Sequence, residues 1–275
     1  MTTFRGSAAF THDWNHFDFQ VSDNIATVKF GRPDKLGALT FEAYADLRDL
    51  LAELPHRGDT RVLVITGTGR GFCSGGDVEK IIGALRSMET DGLLEFTRMT
   101  GAVVKALREC PIPVIAAVNG IAAGAGAVIA LASDFRLVAR SASFAFLFTQ
   151  VGLAGADMGS AYLLPRIIGL GRATELLMAG DRVDADRALQ IGLATSVIDD
   201  DALATTANAL AQRLATGPAL AYSATKTLLT RELDMDLSGS LEMDAVTQAL
   251  LMRTRDHDEF YSAWVDGRNP RWTGR

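Results

Sequence analysis

The chain has 275 residues, of which 48% are hydrophobic and 22% are charged, as is ordinary for a globular α/β protein. A chain of this length can bury a large core, and one domain with an appendage is expected. The net charge of −6 argues against a nucleic-acid partner, because phosphate binding relies on concentrated Lys and Arg. Neither a signal peptide nor an apolar run of about 18 residues is present, so no membrane association is expected. Cys73 and Cys110 make neither a disulfide framework nor a metal-ligand cluster, which favours a cytoplasmic, reducing compartment and no metal.

Apolar periodicity predicts helices that alternate with short buried strands, which is typical of a layered α/β architecture. In chain order the predicted elements are a hairpin at 17–30, a helix at 41–54 capped by Thr40, a buried strand at 61–66, a helix after Asp77, a helix at 91–109, a buried strand at 114–118, a fully buried helix at 124–132, a strand at 135–139, a strand-like aromatic run through Phe144, Phe146 and Phe148, and a helix at 157–165. From about Leu203 the chain is helical and amphipathic. We therefore expect a core over residues 1–202 and a helical oligomerisation region over 203–275.

Two glycine-rich turns organise the middle of the chain. The strand at 61–66 runs into GTGRGFCSGGD, and the strand at 114–118 runs into NGIAAGAG. Backbone N–H groups at such turns lack partners, and small residues let a ligand approach them closely. The two turns could therefore form an oxyanion hole from the backbone alone, or they could be tight turns without a ligand.

Familiar nucleotide and nucleophile patterns fail at these turns. The third glycine of a GxGxxG pattern would fall on Phe72, and no GxxxxGK[ST] pattern exists. Ser74 lacks the glycine two residues earlier that a GxSxG elbow requires. Cys73 is better interpreted as a structural cysteine than as a nucleophile, since no His lies near it in sequence.

Four segments in the same order resemble the enoyl-CoA hydratase/isomerase (crotonase) superfamily over nearly the whole chain. They are TGTGRGFCSGGDV, PVIAAVNGIAAGAG, ASDFRLVA, and GLAGADMGSAYLLPRIIG with RATELLMAG. The resemblance implies a spiral of ββα turns, a C-terminal helical region that packs in trimers or hexamers, and an acyl-CoA thioester as substrate. It implies no cofactor beyond the coenzyme A that the substrate carries.

The resemblance also implies roles for individual residues. The N–H groups of Gly76 and Ala125 would hold the thioester oxygen, with Ala125 standing where relatives usually have glycine. Hydratases of the family use two glutamates, but the matching positions are Val128 and Phe148. Asp157, nine residues before Arg166, matches an aspartate of isomerases that act on dienoyl-CoA or on a ring epoxide. Its apolar neighbours would raise its pKa toward that of a useful base, although it could also cap its own helix.

The remaining binding residues come from the same resemblance. Lys35 would pair with a CoA phosphate unless it is only solvated, and Trp264 and Arg268 would close over CoA from the C-terminus. Many relatives have Asn at the position of Gly37, so the hydrogen bond that the Asn side chain provides is missing here. The expected substrate-contacting set is Lys35, Leu36, Ser74, Gly75, Val78, Val128, Phe148, Trp264 and Arg268.

The sequence therefore favours an enoyl-CoA double-bond isomerase with Asp157 as its acid and base. A hydratase or dehydratase with a displaced acid, and a CoA-thioester binder without activity, stay as alternatives. Thioester hydrolysis and decarboxylation are further single-aspartate reactions that the sequence leaves open, together with the identity of the acyl group.

Overall fold

A computed structural model describes residues 9–274. Its strands are β1 (Phe17–Ser22), β2 (Ile25–Phe30), β3 (Val62–Gly67), β4 (Gly71–Cys73), β5 (Val114–Val118), β6 (Ile121–Ala123), β7 (Phe135–Ala139), β8 (Ser143–Ala145), β9 (Val183–Asp184) and β10 (Ser196–Ile198). Its helices are α1 (Phe41–Arg57), α2 (Gly83–Leu85), α3 (Thr90–Glu109), α4 (Ala125–Ala132), α5 (Ser160–Ile168), α6 (Leu170–Ala179), α7 (Ala185–Gln190), α8 (Leu203–Ala215), α9 (Ala219–Arg231), α10 (Leu237–Leu251) and α11 (Arg255–Val265).

The strands form two sheets through a repeated ββα unit. β3, β5 and β7 pair in parallel in a six-stranded sheet of order β1-β2-β3-β5-β7-β10. The strand that follows each of them, β4, β6 or β8, belongs to a second sheet of order β4-β6-β8-β9. α3, α4 and α5 follow these strand pairs along the chain. The expected α/β spiral of ββα turns is thus confirmed.

Local sequence explains the early elements. β1 and β2 form the predicted hairpin, and Asp23 and Asn24 supply the two left-handed residues that its two-residue turn needs. The hydroxyl oxygen of Thr40 accepts a hydrogen bond from the N–H of Ala43 and caps α1, as predicted. α1 continues one turn beyond the expected end at residue 54.

The two sheets and their helices share one core, and α4 lies at its centre. All eight residues of α4 are buried, which confirms the helix that the sequence predicts to be apolar on every face. α8 also packs against the large sheet through buried Leu203, Ala207 and Ala211. The division of the chain at residue 203 stays a prediction.

Two predicted elements differ from the structure. The aromatic run is a strand only as far as Ala145, and Phe148 precedes a 3-10 turn at Thr149–Val151. The helix expected from residue 157 begins at Ser160, because Met158 and Gly159 adopt left-handed conformations that cannot continue a helix backwards.

The C-terminal helices expose much of their apolar surface. No residue of α10 is buried, and its Leu237, Leu241 and Leu250 are 58–74% exposed. Within residues 9–274, no helix combines the length and the hydropathy that crossing a membrane requires.

Candidate functional site

The loop after β4 is held in place by Leu39. The N–H of Leu39 donates to the carbonyl of Gly75 at 2.8 Å, and the N–H of Asp77 donates to the carbonyl of Leu39 at 2.9 Å. These two hydrogen bonds use the carbonyl of Gly75 and the N–H of Asp77, which flank Gly76. In such a parallel bridge the N–H of Gly76 itself points away from Leu39. Among the residues that the structure describes, no backbone group accepts a hydrogen bond from this N–H. Gly76 is partly exposed, so a ligand can reach the donor.

The second free donor stands at the start of α4. Ala125 is the first residue of the helix, where an N–H has no intrahelical acceptor. Gly124 before it has φ 50° and ψ −121°, a conformation that favours glycine, and its own N–H donates to the carbonyl of Ala145. The turn therefore presents the N–H of Ala125 at the positive end of the helix dipole.

The two turns touch. A Cβ added to Gly75 would lie 3.4 Å from the backbone nitrogen of Ala125, and one added to Gly126 would lie 2.0 Å from the carbonyl oxygen of Cys73. Only glycine at these positions allows the loop after β4 and the start of α4 to approach so closely. The structure thus brings the segments of Gly76 and Ala125 together, as the sequence predicts for an oxyanion hole.

Asn119 joins the two turns from the side. Its Oδ1 accepts from the N–H of Gly67 at 2.9 Å, and its Nδ2 donates to the carbonyls of Gly69 and Gly71. A single amide side chain from the second turn thereby satisfies three backbone groups of the first. It is a positioning residue that the glycine pattern alone did not identify.

Asp157 is half-buried just before α5. Its Oδ1 accepts from the N–H of Met158 at 2.8 Å, and the N-cap of α5 is Gly159, so the side chain does not cap the helix. Burial raises the pKa of Asp157, and the Met158 hydrogen bond partly opposes the rise. A carboxylate with a raised pKa suits proton transfer better than an ordinary surface aspartate does.

Tyr44 lies beside the turn of Gly76. The side chain is 2% exposed, and its hydroxyl oxygen lies 3.8 Å from the position of a Cβ added to Gly76. Burial, first of all, holds the pKa of Tyr44 well above its usual value, with smaller contributions from Cys73 and Asp157. In the sequence, the only indication of this residue is an aromatic side chain with a polar end on the buried face of α1, three positions before Leu47.

The positions of the two hydratase glutamates are apolar and buried. Val128 is fully buried within α4, and Phe148 is 8% exposed. Neither side chain can carry a proton. Among the residues that line the turns, Cys73 is fully buried and desolvation raises its pKa to about 12, which disfavours the thiolate and agrees with a structural cysteine.

Asp77 has a structural role beside the site. Its Oδ1 accepts from the N–H groups of Glu79 and Lys80, which confirms it as the cap of the helical segment that follows. These backbone bonds and the ion pair with Arg32 lower its pKa to about 2. The segment itself is a π-helix at Val78–Ile82, which no sequence pattern predicted.

Several of the expected CoA-contacting residues share one rim. The hydroxyl of Ser74 donates to the carbonyl of Lys35 at 3.0 Å, and its N–H donates to the carbonyl of Leu36. The ammonium of Lys35 lies 3.3 Å from the carboxylate of Glu79 in an exposed pair, and Val78 is 72% exposed. This rim borders Gly75 and Gly76 and offers an exposed cation to an anionic ligand.

The two C-terminal residues that were expected to contact CoA, Trp264 and Arg268, lie on α11 and just after it. Trp264 on α11 is 72% exposed. Arg268 follows α11 and pairs with Glu259 at 2.6 Å and with Asp266 at 3.2 Å. The contact of these residues with CoA stays a prediction.

Comparison with known proteins identifies the family. The model of the family "Enoyl-CoA hydratase/isomerase" matches residues 20–275. The chain is 35% identical to the 1,2-epoxyphenylacetyl-CoA isomerase of Escherichia coli K12 over 93% of this chain and 97% of that one. It is also 35% identical to a "probable enoyl-CoA hydratase" of Rhodobacter capsulatus, over 94% and 97% of the two chains. A crystal structure described as a candidate enoyl-CoA hydratase of Streptomyces coelicolor A3(2) is 60% identical, covers all of both chains and superimposes with a TM-score of 0.98. With the ββα spiral and the paired glycine turns, these matches establish that the chain belongs to the enoyl-CoA hydratase/isomerase (crotonase) superfamily.

Proposed function

We propose that this enzyme moves the double bond of an enoyl-CoA thioester, with Asp157 as its acid and base. The proposal rests on a half-buried carboxylate with a raised pKa, on two free backbone donors in neighbouring turns, and on apolar Val128 and Phe148 at the positions of the hydratase acids. The relative named an isomerase supports it, whereas the relatives named hydratases leave the alternative to be tested.

One carboxylate is sufficient for this reaction. The carboxylate of Asp157 removes a proton from carbon 2 of a 3-enoyl thioester, and the electrons move into the carbonyl to form a dienolate. The N–H groups of Gly76 and Ala125 stabilise the negative oxygen, by several kcal/mol at most for each donor. The same carboxyl then returns the proton to carbon 4, which restores the carbonyl and leaves the double bond conjugated. No water is consumed and no cofactor is needed beyond the CoA of the substrate.

Hydration requires more than this site offers. A hydratase must activate water and also protonate the α-carbon, which the family does with two carboxylates. Here the side chains of Val128 and Phe148 are buried and apolar, so neither can activate water. A hydratase reaction would need a displaced acid, and activity toward crotonyl-CoA would reveal one.

The test compares wild type with Asp157→Asn, which keeps the size of the side chain and its acceptor for Met158. We expect turnover of a 3-enoyl-CoA by the wild type and a loss of at least ~100-fold in the variant. Because the base must be ionised, wild-type kcat should fall as the pH falls through the raised pKa of Asp157, above its ordinary 3.8. Equal rates in the two proteins would remove Asp157 from the mechanism, and hydration of crotonyl-CoA would favour the hydratase.

The rim and the C-terminal helices complete the proposal. Lys35 would pair with a CoA phosphate, and Leu36, Ser74, Gly75 and Val78 would contact the rest of CoA. The exposed apolar face of α10 would be covered by further copies of the chain in a homotrimer or hexamer, because surfaces of this kind mark interfaces. A monomer at micromolar concentration in sedimentation would contradict the oligomer. The cytoplasmic location stays a prediction.

A further inference from the structure

The side chain of Tyr44 is 2% exposed, and its hydroxyl lies next to the turn of Gly76. The side chain packs edge-to-face on Phe96, and its hydroxyl oxygen lies 3.8 Å from the Cβ position of Gly76. No group within residues 9–274 forms a hydrogen bond with it. A ligand oxygen that accepts from this hydroxyl gains a hydrogen bond for which no protein group competes.

The position of the hydroxyl limits which part of the ligand it can reach. A thioester oxygen bound to the N–H of Gly76 lies about 3 Å from that nitrogen. The Tyr44 hydroxyl lies 3.8 Å from the Cβ position of the same residue, so it can reach a group that is bound next to that oxygen. The phenol stays protonated at neutral pH, because burial raises its pKa well above its ordinary value, and it can therefore act as a donor.

We propose that Tyr44 is a specificity-determining residue whose hydroxyl donates a hydrogen bond to an oxygen substituent on the first carbons of the acyl group. The preferred substrates are then acyl-CoA thioesters that carry a hydroxyl, keto or epoxide oxygen near the thioester, rather than plain hydrocarbon chains. A site built around a hydrogen-bond donor discriminates against analogues that lack the acceptor, because the donor is then left unpaired. This deepens the proposed function and rests on it only for the place where the thioester binds.

The test measures binding of ligands, so it does not depend on turnover by Asp157. Calorimetry would compare butyryl-CoA with 2-, 3- and 4-hydroxybutyryl-CoA, with the ligands recovered and checked for conversion. We expect Tyr44→Phe to weaken at least one hydroxylated ester by about 10-fold and to leave butyryl-CoA within about 2-fold. Tyr222→Phe, on α9, is the matched control and should alter none of the four affinities.

A stability measurement distinguishes this role from a structural one. The hydroxyl has no protein partner, so its removal should leave the Tm unchanged or raise it. A lower Tm would mean that the hydroxyl supports the fold, and it would overturn the proposal. Equal weakening of all four esters would also overturn it, because the hydroxyl would then bind the thioester oxygen that they share. Unchanged affinity for all four esters would exclude any contact with the ligand. Binding with the expected selectivity but without turnover would leave Tyr44 in place and reject only the proposed isomerase.

Discussion

Ala125→Pro removes one oxyanion donor without removing a protein hydrogen bond. The N–H of Ala125 is unpaired at the first position of α4, where proline is favoured because its ring fixes a helical φ. Gly124 has no Cβ for the proline ring to meet. We therefore expect the free energy of unfolding to change by about 1 kcal/mol or less.

The effect on catalysis should be much larger. Loss of one oxyanion donor typically lowers kcat by about 10²–10³, or about 2.7–4 kcal/mol of transition-state stabilisation. The ring carbon that replaces the hydrogen also takes the space in which the thioester oxygen would bind, so binding should weaken too. The assay follows the ultraviolet absorbance of the conjugated 2-enoyl thioester as it forms from a 3-enoyl-CoA.

Ala125→Gly is the control because it keeps the N–H. We expect it to retain activity within about 10-fold and to lose up to about 1 kcal/mol of stability from the higher backbone entropy of glycine. If Ala125→Pro folds with an unchanged Tm and turns over substrate at the wild-type rate, the N–H of Ala125 does not stabilise the transition state.

Three further predictions concern the scaffold. Gly126→Ala should destabilise the protein by at least about 2 kcal/mol in urea unfolding, because the new Cβ would lie 2.0 Å from the carbonyl oxygen of Cys73. Asp134→Asn should lower the free energy of unfolding by about 3 kcal/mol in the same measurement. Lys226 is 7% exposed and lies 2.7 Å from Asp134 in the wild type, so the substitution leaves a buried ammonium without its charge partner. The lowered pKa of Asp77 contributes stability that is present above its ordinary value of 3.8 and lost as the pH falls through about 2, so unfolding from pH 5 to 2 should show this loss.

Each of these predictions has a matched control. Gly171→Ala lies in α6 with nothing within 4 Å of the added Cβ, so it should be neutral or slightly stabilising. Lys105→Ala breaks an exposed pair with Glu109 at 4.0 Å and should change stability by about 0.5 kcal/mol or less. Asp77→Asn should flatten the acid dependence relative to wild type. A loss of stability in Gly171→Ala equal to that in Gly126→Ala would show that the close approach to Cys73 is not the cause.

The sequence predicted the elements that are long enough to show a period. The five-residue strands β5 and β7 and the helices α1, α3 and α4 lie close to their expected bounds. The residue pattern did not predict the second sheet, although the predicted aromatic run overlaps β8, because β4 and β6 have three residues each, too few for an alternating pattern to be visible. For the same reason, the structure repeats the ββα unit although the sequence shows no internal repeat.

At the site, the sequence predicted two neighbouring glycine turns, which the structure brings together, whereas the role of Asp157 stays a prediction. The contact between the turns of Gly75 and Ala125 follows from parallel strands that end at the same edge of the structure. Tyr44 and Asn119 were not predicted, because each reaches its partners across more than 30 residues of chain. The late start of α5 depends on the left-handed conformation of Met158, which a methionine rarely adopts.

The two donors proposed for the oxyanion are main-chain atoms, held by the Leu39 bridge and by the start of α4. Replacement of neighbouring side chains would therefore leave the polarisation of a bound thioester intact. New reactions on this scaffold can arise by exchanging a single proton-carrying side chain, as the contrast between Asp157 here and the apolar residues Val128 and Phe148 illustrates. When main-chain groups bind the carbonyl and a side chain moves the proton, the residues around the acyl group can change in evolution without loss of carbonyl activation.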